Sequence, residues 1–227
     1  MNIKKIKLLP LYIIILTLFS SFWGIGKDLD KKTLKYNEEK DGKIKVSTWE
    51  IVTKDKKITI TGNEENATYF MEFKEKPYEL EKYSCKTKDD KADYTFQRNG
   101  KILKISGKAD GNEISKEYDI GNSKWFQNFG FCLKPFVDSN DKSIKFIIIN
   151  PKDFSKIDMI AEKEENEKLK IKNKEFDSIK IKITLTGFKS MFWHGDIWFD
   201  SKTKEYLKYQ ANEGPHTAET TITLDIK

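Results

Sequence analysis

Alternation of apolar and polar residues with a period of two is the feature that most constrains the fold of this chain. In the stretch 179–185 every second residue is apolar, and lysines stand between the first three apolar positions. Such alternation is typical of a β-strand with one buried face, since successive side chains point to opposite sides. It recurs in the runs 44–46, 58–60, 69–73, 94–96 and 220–226. The pattern therefore predicts a β-protein.

Residue pairs that favour tight turns separate these runs. They are Asp41-Gly42, Gly62-Asn63, Asn99-Gly100 and Asp110-Gly111. Residues 201–204 predict a further turn between two aromatic runs, and the segment 161–174 predicts a charged hairpin that turns near Asn166. Short strands joined by hairpins indicate an antiparallel meander rather than alternating strands and helices.

The first 26 residues have the order of a secretory signal peptide, in which a basic start precedes an apolar run and small residues. The apolar run is 8–19, and Gly24 and Gly26 stand where the small residues before a cleavage site are expected. The alternative is an uncleaved N-terminal anchor, because the segment ending at Gly26 is just long enough to span a bilayer. In either case we predict that residues 27–227 form a single β-rich exported domain, with membrane contact only through an uncleaved N-terminus.

The charge of the chain argues against nucleic acid as a partner. The net charge is +6, but three lysines and no acidic residue lie in the predicted signal peptide, which leaves +3 on the exported domain. Arg98 is the one arginine, and arginine is the side chain best suited to phosphate and base recognition. The exported domain therefore lacks the electrostatic features typical of nucleic-acid binding.

Catalytic signatures are scarce in this sequence. It contains no nucleophile elbow, phosphate-binding loop, dinucleotide fingerprint or zinc-protease motif. We therefore predict a non-enzymatic protein without a metal or other cofactor. The alternative is a hydrolase that uses His194 and Asp196, which would share one face of an extended strand. His216 could in principle add a metal ligand, although its spacing gives little support for such a site.

Two cysteines, Cys85 and Cys132, lie in the predicted exported domain. An oxidising compartment would allow them to form a disulfide, so we predict this bridge as possible. The alternative is a pair of buried free thiols that pack as small apolar side chains.

The C-terminal part carries the most specific pattern. A strand that ends at Gly187-Phe188 is followed by an aromatic strand, which contains Trp193 and Ile197-Trp198-Phe199-Asp200. A turn at Thr203 then leads to the tyrosine-rich strand Tyr206-Leu207-Lys208-Tyr209, and a second turn follows at Gly214-Pro215. Together with 125–136, this order resembles bacterial exported families of unknown function that have a lipoprotein-carrier (LolA/LolB-like) fold. The resemblance covers roughly 34–226, and His194 and His216 fall where those families show other residue types.

The resemblance implies an all-β fold with a minor α part. The expected architecture is a single antiparallel, strongly curved sheet or incomplete barrel, with a short helical or loop element over its concave face. In the carriers that face accommodates acyl chains, so the resemblance implies a lipid-like ligand and a place in the periplasm or at the bacterial cell surface. Candidate lining residues, with core packing as their alternative role, are Trp125, Phe129, Phe131, Trp193 and Trp198.

A structural or interaction module of the cell envelope is the alternative to a binding protein. The two differ in one observable feature, because a binding protein needs an apolar cavity and a structural module predicts a filled core.

Overall fold

The structure is a computed structural model that describes residues 30–187, 193–212 and 217–226. Within these residues fifteen strands form one sheet, and two short helices lie between the ninth and tenth strands. The first eight strands are β1 Asp30–Lys40, β2 Lys43–Lys54, β3 Lys57–Asn63, β4 Ala67–Lys74, β5 Glu79–Thr87, β6 Ala92–Asn99, β7 Ile102–Ala109 and β8 Asn112–Asp119. After them come β9 Lys124–Trp125, α1 Phe129–Cys132, α2 Lys134–Asp138, β10 Ser143–Ile149, β11 Lys156–Ile171, β12 Lys174–Leu185, β13 His194–Asp200, β14 Tyr206–Asn212 and β15 Glu219–Leu224.

The order of the strands places both ends of the described chain in the middle of the sheet. Strands β8 to β1 follow one another across one half, β15 lies beside β1, and β14 to β9 complete the other half. All neighbouring pairs are antiparallel except β9, whose two residues run parallel to β10. The predicted all-β antiparallel fold is therefore confirmed.

The sheet curves until its two ends come within hydrogen-bonding distance. At one end, on β8, the Tyr118 hydroxyl donates to the Phe154 carbonyl oxygen at 2.7 Å, and Lys116 Nζ donates to the Asp153 carbonyl at 2.7 Å. Both acceptors lie in the loop between β10 and β11, at the other end. Side chains make these contacts, and no ladder joins the end strands within the described residues. The structure is thus an incomplete barrel, as expected.

Most of the predicted turns are confirmed. Asp41 and Gly42 have φ values of 51° and 69°, as a type I′ turn between paired strands requires. The turns at Asn99-Gly100, Asp110-Gly111 and 201–204 also separate successive strands.

Two turns were predicted at the wrong residues. Gly62 and Asn63 belong to β3 and are paired with β2, and the chain turns after them. The charged hairpin exists, but Asn166 lies inside β11, where a register irregularity between Lys163 and Asn166 absorbs the mismatch. That hairpin turns at Lys172, whose φ is 52°.

The helices α1 and α2 lie over the inner face of the sheet, where the hydrophobic core is located. α1 approaches β14 closely, because a β-carbon at Gly130 would lie 2.6 Å from Cδ1 of Tyr206. Tyr78 donates from its hydroxyl to the Phe131 carbonyl oxygen at 3.2 Å and ties α1 to the opposite half of the sheet. Among the described residues, no helix is both long enough and apolar enough to span a membrane.

Candidate functional site

A cavity of about 230 Å³ lies between α1 and the inner face of the sheet. Six of its fourteen lining residues are aromatic, and their rings come from β1, β2, β14 and the helical segment. These residues are Tyr36, Trp49, Phe129, Phe131, Tyr206 and Tyr209. Ile197 and Ile222 add aliphatic surface. A half-open space therefore remains beside α1.

Five adjacent strands, β2, β1, β15, β14 and β13, build the floor of this cavity. Period-two alternation directs Tyr36 and Glu38 of β1 to the same face. Ser47 is the register partner of Tyr36 on β2, and Trp49 follows two residues later on that face. Alternation therefore places both aromatic and polar side chains in the cavity.

Ring packing and hydrogen bonds hold the aromatic walls in place. The rings of Tyr36 and Tyr206 stack with centroids 4.8 Å apart, and the Tyr36 hydroxyl donates to the Tyr206 carbonyl oxygen at 3.1 Å. The Trp49 ring lies 5.1 Å from that of Phe131, and its Nε1 donates to Ser47 Oγ at 3.0 Å. These contacts indicate a wall that is formed before any ligand arrives.

The side chain of Gln127 anchors the loop that leads into α1. Its Nε2 donates to the Ile149 carbonyl oxygen at 2.7 Å, and its Oε1 accepts from the Ile149 backbone N–H at 3.2 Å. The amide thus forms the two bonds that a neighbouring strand would form at the end of β10. Because Gln127 also lines the cavity, these bonds fix that part of the wall.

One end of the cavity is acidic. Glu38 and Glu64 both line it, and the Tyr69 hydroxyl donates to Glu64 Oε2 at 3.3 Å. Burial raises the pKa of Glu64, and the charge of Glu38 raises it further, whereas Tyr69 and Lys45 act in the opposite direction. At the aromatic end, burial raises the pKa of Tyr209 to about 12, so its phenol is neutral at ordinary pH.

A second, smaller cavity of about 160 Å³ lies beyond the first. The two cavities share Tyr36, Gly130, Phe131 and Tyr206 as lining residues. α1 and the stacked tyrosines therefore form a partition between two spaces on the inner face.

Two of the five predicted lining residues, Phe129 and Phe131, line the larger cavity. Trp125 is only 1% exposed and packs in the core, with its ring 6.4 Å from that of Phe96. Trp193 is half-buried, and its Nε1 donates to the Asn212 carbonyl oxygen at 2.6 Å.

Trp198 lies on the outer face of β13, because its neighbour Ile197 points into the cavity and side chains alternate. Lys180 Nζ and Lys208 Nζ lie 5.5 and 4.8 Å from the centroid of its ring, and its Nε1 donates to Glu167. Trp198 therefore packs outside the cavity.

Sequence analysis missed four of the six aromatic residues that line the cavity. Tyr36, Trp49, Tyr206 and Tyr209 all belong to alternating strands. The signal was present, since Leu34 with Tyr36 and Ser47 with Trp49 continue the alternation of β1 and β2. Alternation shows which side chains lie on the inner face of the sheet, but it does not show which of them line the cavity beside α1.

Cys85 and Cys132 are both buried and are free thiols in the structure. Cys85 hydrogen-bonds with Tyr94, whereas the Cys132 thiol contacts the backbone at Gln127 and Asn128. The two thiols therefore contact different groups in this structure. Burial raises the pKa of Cys132 to about 11.

Two residues of the alternative hydrolase site, His194 and Asp196, lie on β13. His194 is exposed, and Asp196 forms an ion pair with Lys180 at 3.3 Å. Lys180 also contacts Glu164 at 3.0 Å, so Asp196 belongs to a surface charge network. His216 lies outside the described residues. Within the described ranges no group of His, Cys, Asp and Glu could hold a metal ion.

No family model matches the chain, and no curated protein matches it. Among solved structures, it is similar to a β-barrel-like protein of the domain of unknown function DUF1849 from Brucella abortus. That match has 8% identity and a TM-score of 0.49, and it covers 87% of this chain and 96% of the other. A LolA superfamily protein from Nitrosomonas europaea matches with 6% identity and a TM-score of 0.25, covering 88% of this chain and 86% of the other. Both descriptions fall in the classes that the C-terminal pattern resembles.

Proposed function

We propose that this protein is a non-enzymatic binding protein of the bacterial cell envelope that holds a lipid-like, largely apolar ligand under α1. The supporting observation is the aromatic cavity of about 230 Å³. An engineered apolar cavity of about 150 Å³ binds benzene, so this space can hold a substituted ring or part of an acyl chain. A purely structural module would have no need for such a space.

The apolar walls favour this class of ligand for a physical reason. Burial of an acyl chain or a ring gains roughly 25 cal/mol per Å² of apolar surface and needs no directional contact. Phe129, Phe131 and Trp49 contribute apolar surface to the cavity, and the anchored loop reduces the ordering that binding would require. The predicted signal peptide supports the proposed location.

Native mass spectrometry of the full chain, expressed in a host that exports it, tests the proposal. We expect a stoichiometric apolar ligand to co-purify, or decanol to bind to the ligand-free protein. The variant Ile222→Trp should prevent binding, because Ile222 lines the cavity and the larger ring would fill it. Ile44→Trp is the matched control, since Ile44 is 67% exposed and lines neither this cavity nor the depression beside it. A ligand-free mass that stays unchanged with decanol and phospholipid would favour the structural module.

A further inference from the structure

The larger cavity is polarised along its length. Phe129, Phe131 and Tyr209 supply rings at the helical side, whereas Glu38 and Glu64 supply carboxylates elsewhere on the wall. An adjoining depression of about 140 Å³ shares both carboxylates and Ser47 with the cavity. Its other lining residues include the exposed side chains of Lys45, Val46 and Glu65. The carboxylates therefore stand at the mouth of the cavity, between its apolar interior and the solvent.

Glu64 is held in position by its neighbours. Tyr69 donates to one of its carboxylate oxygens at 3.3 Å, and the Tyr69 ring stacks 5.9 Å from that of Trp49. A carboxylate has four lone-pair sites, so one such bond leaves capacity for a ligand that donates hydrogen bonds. Glu64 is thus a half-buried acceptor, fixed beside an aromatic wall.

The charges around the mouth favour a cation. Glu38 lies close enough to raise the pKa of Glu64, and Lys45 is a cationic neighbour that opposes this effect. A positive group between the two carboxylates would relieve their repulsion. The rings of Trp49 and Tyr36 line the same cavity and place apolar surface beside the carboxylates. Both carboxylates would repel an anionic group of a ligand at this place.

We propose that the ligand is a cationic amphiphile, whose amine or quaternary ammonium group lies at Glu38 and Glu64 and whose apolar part lies under α1. This inference rests on the proposed function and adds the chemistry of the head group. The two ends of such a ligand match the two ends of the cavity.

Isothermal titration calorimetry with three ten-carbon compounds, below their micelle concentrations, tests the head group. Decyltrimethylammonium, decanol and decanoate have the same chain but are cationic, neutral and anionic. We expect the cation to bind about tenfold or more tighter than decanol, which corresponds to at least about 1.4 kcal/mol, and decanoate to bind most weakly. Equal binding of the cation and decanol would overturn the head-group inference and leave the proposed function intact. If none of the three compounds binds, both proposals fail.

Glutamine variants test which carboxylates cause the preference for the cationic compound. Glu64→Gln and Glu38→Gln keep the shape of the side chain, so each should reduce the preference for the cation while decanol binds as before. Glu113→Gln is the matched control, since it removes the same charge from an exposed residue of β8, outside the cavity and its mouth. If Glu113→Gln lowered the preference as much as Glu64→Gln, general surface charge would explain the effect and the site would be rejected.

Discussion

Gly62 on β3 leaves the space that the ring of Trp49 occupies on β2. The two residues are register partners, and a β-carbon at position 62 would lie 2.6 Å from Cη2 of that ring. The ring therefore lies across β3 and faces Phe131 on α1. The size of residue 62 thus determines where one wall of the cavity lies.

The variant Gly62→Ala should displace the Trp49 ring and lower the free energy of unfolding by about 1–3 kcal/mol, as overpacking in a core typically does. Chemical denaturation followed by circular dichroism measures the loss, and decanol binding reports the change in the cavity. Thr61→Ala, on the other face of β3, is the control and should leave binding unchanged. Alanine is ordinarily favoured over glycine in a strand interior, so an increase in stability for Gly62→Ala would contradict the steric explanation.

Replacing Gln127 by Ala should expose the end of β10. The Ile149 N–H and carbonyl would both lose their partner, and a buried group left unsatisfied costs about 1–3 kcal/mol. Hydrogen exchange of the Ile149 amide should become faster in this variant. Gln210→Ala, which removes an exposed side-chain contact to Glu219, should change stability little. Unchanged protection of the Ile149 amide in Gln127→Ala would show that the side chain does not act as a strand partner.

Glu64→Gln should stabilise the ligand-free protein at pH 7. Burial and Glu38 raise the pKa of this carboxyl in the folded state, opposed by Tyr69 and Lys45. The folded state therefore prefers the protonated carboxyl. The contribution of this carboxyl to stability is fully present below its ordinary pKa of 4.5 and is lost as the pH rises through the raised pKa. Denaturation at pH 4 and pH 7 should show the advantage of Glu64→Gln growing with pH. A variant less stable than the parent at pH 7 would disprove this.

The thiol of Cys132 should react only when the protein unfolds. It is buried and its pKa is raised from 9.0 to about 11, so few thiolates form at pH 8 and none is accessible. By linkage, its contribution to stability is full below about pH 9 and is lost as pH rises through about 11. A Cys85→Ala variant isolates this thiol for Ellman's reagent. A thiol introduced at exposed Ser115 is the control and should react at once; equally fast reaction of native Cys132 would contradict its burial.

The fold was largely predictable because each strand carries its own signal. The alternation of Ile179, Ile181 and Ile183 requires no knowledge of the neighbouring strands, and Asp41-Gly42 defines a turn locally. Gly62 shows where this reasoning fails. Its role depends on Trp49 of the adjacent strand, and a glycine in a sequence gives the same signal for a turn and for a close approach of another side chain.

The site was predicted only in part, because it depends on contacts between distant segments. Phe129 and Phe131 stood out in a dense aromatic run, and both line the cavity. Trp198 stood out equally but points outward, because the parity of β13 directs Ile197 to the inside. Glu64 could not be identified from the sequence, since it lies in a polar turn and no neighbouring residue in the sequence indicates that the folded protein partly buries it.

The bonds between Gln127 and Ile149 have a consequence for self-association. An open sheet presents unpaired backbone groups at its end strands, and these groups can recruit a strand from another molecule. At one end, β9 covers Phe146 and Ile147, and the amide of Gln127 occupies the next backbone positions. At the other end, β8 carries exposed charged residues along most of its length. Both ends of the unfinished barrel therefore carry features that disfavour the addition of a strand from another molecule.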